Sequence, residues 1–112
     1  MQQGNPMSKH DFQLAYTIKP RDPDEDEYNA AQARQRLREN IGLDTVEHIE
    51  TTLLGWVQLA SLSKADKALE AERVIRERIH AELKQLRVLS SVKFYGCLMV
   101  DGLGPAIRFN IV

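Results

Sequence analysis

Apolar and polar residues alternate from Phe12 to Lys19. Phe12, Leu14, Tyr16 and Ile18 share one face, and Gln13, Thr17 and Lys19 share the other. That is the period of a half-buried strand. Pro20 ends it. The spacing then changes to threes and fours. Ala30, Ala33, Leu37 and Ile41 form one narrow helical face. The acidic run Arg21 to Glu27 reads as the start of this helix: Asp22 as cap, Pro23 at the first helical position, Glu25 completing an Asp-x-x-Glu box. Its carboxylates oppose the positive end of the helix dipole. Tyr28 falls off the apolar face, which allows a start a few residues later. Gly42 is the expected stop.

From Val46 to Ala60 the period returns to two. Ile49, Thr51, Leu53, Val57 and Leu59 take one side; Glu50, Thr52, Leu54, Trp56 and Gln58 take the other. The segment is long for one strand, and Gly55 marks a candidate bulge or bend. A helix over 46–54 is the weaker reading, given the Thr and β-branched content. Ser63-Lys64-Ala65-Asp66 opens a second helix with a Ser-x-x-Asp cap. Ala65, Ala68, Leu69, Ile75, Ile79, Leu83 and Leu86 give its apolar stripe. Val92 to Val100 is a third strand. Asp101-Gly102 begins a turn, and Pro105 to Val112 is a fourth strand, together a hairpin signal.

The predicted order is β-α-β-α-β-β. The first three elements suit a parallel β-α-β unit with a right-handed crossover, and the last two strands an antiparallel pair. The expectation is therefore a four-stranded mixed sheet. Each helix has one apolar stripe, so both cover the same side, giving an α/β (α+β) two-layer sandwich. In architecture this resembles the ferredoxin-like sandwiches. Their plait runs β-α-β-β-α-β, which this chain matches only if residues 46–60 hide a hairpin. Residues 1–10 read as a disordered N-terminal tail with little apolar surface to offset ordering. Residues 11–112 read as a single domain.

Composition narrows the function classes. The 112 residues are 43% hydrophobic and 28% charged, with a formal net charge of -1. That balance argues against a general electrostatic grip on nucleic acid or anionic lipid. It also gives little protection against self-association. One cysteine, Cys97, excludes an intrachain disulfide. With no signal-peptide pattern and no apolar run long enough to span a bilayer, a cytoplasmic location is expected, without membrane contact.

The second face of the sheet carries the strongest lead. A solvated face usually alternates to polar residues. This one would display Leu54, Trp56, Tyr95, Cys97 and Met99 beside Arg108, together with Gln13, Thr17, Gln58, Lys93 and Asn110. Such a patch marks a partner or ligand site, and Trp, Tyr, Met and Arg are enriched in interface cores. A homodimer, or contact with another protein, is the first reading. The second is single-stranded nucleic acid stacked on Trp56 and Tyr95 beside Lys93 and Arg108, although the spacing is unlike the aromatic-rich RNA-recognition sequence. The third is a small enzyme with a pocket at a dimer seam.

Dedicated chemistry is absent from the spacing. His10, His48 and His80 are scattered, and no metal set is expected. The acidic run lacks the glycine and distal Glu of a calcium loop. Cys97 has a base nearby only if the fold brings His48 or His80 to it. Asp101 to Pro105 contains glycines but opens no helix, so it is not a phosphate loop. Mixed charges on the helices, with Glu72–Arg76 and Glu70–Arg73 at ion-pair spacing, read as solvated faces. No catalytic residue and no cofactor is expected.

Overall fold

Alternation carries Ser8–Pro20 into one long strand, β1. It is described in a computed structural model covering residues 7–40, 44–46 and 49–111. Phe12, Leu14, Tyr16 and Ile18 are buried, as the pattern requires. Ser8, Lys9 and His10, expected in the tail, belong to the strand instead. The reason is pairing: Ser8, Lys9 and His10 stand opposite Leu59, Gln58 and Val57. The rest of the expected tail, residues 1–6, lies outside the described residues.

The chain continues through α1 (Glu27–Asn40), β2 (Asp44–Val46), β3 (Ile49–Leu59), α2 (Lys64–Gln85), β4 (Val92–Val100) and β5 (Ile107–Ile111). The sheet order is β2-β3-β1-β4-β5. Four main strands form its body, and the three-residue β2 extends the β3 edge. Every pairing is antiparallel, so the expected mixed sheet is corrected. The parallel unit fails because 46–60 is not one strand. α1 returns the chain to the starting end of β1, and β2 then runs in the direction of β1. β3 runs back beside β2 and is therefore antiparallel to β1. The register shift lies between Thr45 and Val46, not at Gly55, which pairs regularly with Phe12.

Both helices pack on one face of the sheet. α1 lies against β1 and β3, and α2 against β3, β4 and β5. Ala30, Ala33 and Leu37 of α1 are buried; Ile41 and Gly42 lie outside the described residues. α1 begins at Glu27 rather than Pro23 because Asp22 closes a turn of its own. Its carboxylate accepts from the Asp24 amide at 2.9 Å, and its own amide donates to Asp26 at 3.0 Å. α2 is capped as expected: the Asp66 amide donates to Ser63 Oγ at 3.1 Å. Its buried face is Ala71, Ile75, Ile79 and Leu83. Leu69, expected on the stripe, is exposed. Two residues from Ala71 is about 200° around a helix, which turns Leu69 away.

Among the described residues no polar or charged side chain is buried. Ion pairs instead sew the rim. Arg36 meets Glu82 at 2.9 Å, joining α1 to α2, and Arg34 donates to the Ile18 carbonyl at 2.8 Å, joining α1 to β1. Arg73 reaches Glu77 at 3.4 Å and also acts on Glu70 through its charge. The Glu70 carboxylate accepts from the amides of Ala60 and Ser61, each at 3.0 Å, and so ends β3.

Tyr16, Phe94 and Phe109 stack in series, with centroids 5.6 and 5.8 Å apart. Gly96 sits on this core face of β4, between Tyr16 and Phe109 in register. A Cβ there would come within 2.9 Å of Phe94 and Phe109 ring atoms. Gly96→Ala should therefore destabilise the fold by about 1–3 kcal/mol through overpacking, read by urea denaturation.

The amides of Ser61 and Ala60 hold the Glu70 carboxyl below its ordinary pKa. A depressed carboxylate stabilises above its unfolded pKa, and the contribution fades as pH falls through the folded value. The group is accessible to water, so the effect is small. Glu70→Gln should cost stability at pH 7, and the gap to the parent should narrow below about pH 4, measured by thermal melts across pH.

Candidate functional site

Helices cover one face of the sheet, and among the described residues no element covers the other. Antiparallel register places residues in rows across that open face. Asp11 stands beside Trp56. Leu54, Gln13 and Met99 form the next row. Thr52, Ala15, Cys97 and Arg108 form the third. Thr17, Tyr95 and Asn110 form the fourth, and Lys19 with Lys93 the fifth.

All six residues expected on this face lie on it. Leu54 is 38% exposed, Trp56 53%, Tyr95 40% and Met99 54%. Cys97 is half-buried and Arg108 exposed. The structure brings Leu54 and Met99 into one row with Trp56 one row on, and sets Cys97 beside Arg108. It keeps Tyr95 apart, three rows from Trp56. The face is therefore divided along its strands. One half is apolar; the other is polar and cationic.

Two lysines join the aromatics. Lys9 Nζ lies 5.1 Å from the Trp56 ring centroid, and Lys19 Nζ lies 6.0 Å from that of Tyr95. Lys9 escapes a sequence reading because it precedes the clear alternation. In the polar half, Ala15 and Cys97 are small, and the surface sinks. A shallow depression of about 450 Å³ forms there, walled by Thr17, Thr51, Tyr95, Arg108 and Asn110.

A second concavity, about 330 Å³, lies between α2 and β5, lined by Arg76, Glu77, His80, Asn110 and Ile111. Its charges serve the helix: Arg76 pairs with Glu72 at 3.1 Å and Glu77 with Arg73 at 3.4 Å. His80 belongs to α2, on the helical side, and Cys97 faces the open side. The fold does not bring them together. His48 lies outside the described residues. Among the described residues no three His, Cys, Asp or Glu side chains gather as a metal set. No helix among them is long and apolar enough to cross a membrane.

His10 makes a connection that spacing does not announce. Its Nδ1 is 3.1 Å from the Asp101 carbonyl, and its Nε2 is 3.0 Å from Ser8 Oγ. A carbonyl only accepts, so Nδ1 carries a proton here, while the Ser8 hydroxyl also has the Leu59 carbonyl as an acceptor at 3.4 Å. The ring thus ties the start of β1 to the turn after β4. The Asp101 amide, which donates to the Asp11 carbonyl at 2.9 Å, closes the same corner.

In comparisons with family models, curated proteins and solved structures, nothing matches this chain. Its function is argued from its own residues.

His10→Ala should loosen this corner by about 0.5–1.5 kcal/mol, the net worth of an ordinary hydrogen bond. Faster hydrogen exchange at the Asp101 amide, with β4 protection unchanged, is the expected reading.

Proposed function

We propose that the chain is a non-catalytic binding or regulatory module that works as a homodimer, two copies meeting through the open face. The observation that carries this is the exposure of Leu54, Trp56 and Met99 around Gln13, on a sheet face that no element among the described residues covers. A patch of this kind loses free energy in water and gains it against a like surface. Charge supports a second copy as occupant: a net charge of -1 leaves two copies with little repulsion, and the lysines sit at the ends of the face, where a rim remains wet.

The finer fold reading belongs with this proposal. We read the fold as ferredoxin-like with β5 added, a reading supported by the element order β1-α1-β2-β3-α2-β4 and the strand order β2-β3-β1-β4. We take residues 11–112, joined by the β1 residues Ser8, Lys9 and His10, as one domain and the cytoplasm as its place, consistent with a single thiol. Single-stranded nucleic acid is the less favoured occupant. Trp56 and Tyr95 are six residues apart along the strands, about 20 Å, so adjacent bases cannot stack on both.

Light scattering should give twice the chain mass at micromolar concentration, with blue-shifted Trp56 emission. Trp56→Glu should raise the dimer dissociation constant about thirtyfold or more, as for a central aromatic anchor worth ~2 kcal/mol. A folded Trp56→Glu protein that remains as dimeric as its parent would sink the proposal.

A further inference from the structure

The polar half of the open face has a feature that association through Leu54, Trp56 and Met99 does not use. Arg108, Lys19 and Lys93 all lie there. Strand positions 15–19 of β1, 93–97 of β4 and 108–110 of β5 carry no acidic residue. Lys19 and Lys93 stand directly opposite each other in register. Like charges in that position oppose folding. Arg108 is exposed and has no ion pair among the described residues. Arg108 lines the depression of about 450 Å³, whose floor is small because Ala15 and Cys97 are adjacent in register, and Lys19 and Lys93 stand one row beyond its Thr17 and Tyr95 wall.

We propose that this depression binds a small molecule bearing a phosphate group. A guanidinium offers paired donors matched to a phosphate's oxygens. Arg108 supplies that fork, and the Asn110 amide and Thr17 hydroxyl offer further donors along the wall. Lys19 and Lys93 add positive potential from the next row, which the anion neutralises. The exposed Tyr95 ring gives a flat apolar wall for the remainder of the molecule. The concavity and the small floor favour a compact ligand over a long polyanion.

The test is an NMR titration of the ¹⁵N-labelled full chain with inorganic phosphate and with phenyl phosphate, at fixed pH and ionic strength. Saturable shifts should concentrate at Thr17, Tyr95, Cys97, Arg108 and Asn110. Phenyl phosphate should bind severalfold more tightly, through Tyr95. Arg108→Gln should weaken both at least tenfold, Lys93→Gln by a smaller factor, and Lys64→Gln on α2 not at all. Trp56→Glu should leave binding unchanged, which separates this site from the association proposed above. Shifts that fail to saturate, that spread over the helix lysines, or that survive both Arg108→Gln and Lys93→Gln would overturn the inference. A single-stranded oligonucleotide that moves these amides when neither phosphate compound does would overturn it as well.

Discussion

The pairing of β1 on both flanks is the constraint on which the other elements depend. β3 and β4 each bond to it in unbroken register. Its period of two sends Phe12, Leu14, Tyr16 and Ile18 to the helices. Register then fixes the neighbours. Leu14 lies between Leu53 and Leu98, and Gln13 between Leu54 and Met99. A slip of one residue would send a whole set of side chains to the wrong face. The buried set and the displayed set thus have one cause.

Packing on the helical side makes the open side a fixed platform. Ala30 and Ala33 keep one face of α1 shallow, so the helix can approach the sheet. The row Tyr16, Gly96 and Phe109 has no Cβ at its centre, and the Phe94 and Phe109 rings occupy that space. Around this apolar interior the polar ties are peripheral: Arg36 to Glu82, Arg34 to the end of β1, Glu70 to the end of β3. Each fixes where an element stops. Together they leave the open-face rows on backbone held by ladders, where side chains keep their spacing.

Along its strands the open face changes character because the residues opposite one another differ, not because an element intervenes. Leu54 and Met99 flank Gln13 in one row; Ala15 and Cys97 lower the next; Lys19 and Lys93 close the last. Large apolar side chains give a raised patch suited to a flat partner. Small ones beside Arg108 give a concave, cationic patch suited to a compact anion. One sheet can carry both because each uses a different stretch of the same ladders.

Local periodicity sufficed for much of this. It separated buried from displayed residues on β1 and β4, and it placed the bounds of β4 and the Ser63 cap. It identified Leu54, Trp56, Tyr95, Cys97, Met99 and Arg108 as one displayed set, because alternation is a property of a strand by itself. Pairing is a property of two strands, and there the sequence ran out. Between Val46 and Ile49 the sequence has no Gly, Pro, Asn or Asp to signal a turn, so the separation of β2 from β3 left no mark. The direction of the second long strand was misread with it, as parallel to the first, and sheet order went unread. Lys9 beside Trp56, Ser8 with His10 and Asp101, and the division of the open face needed the fold itself. Each joins residues distant in sequence or displaced across strands, and only tertiary pairing brings such groups within reach of one another.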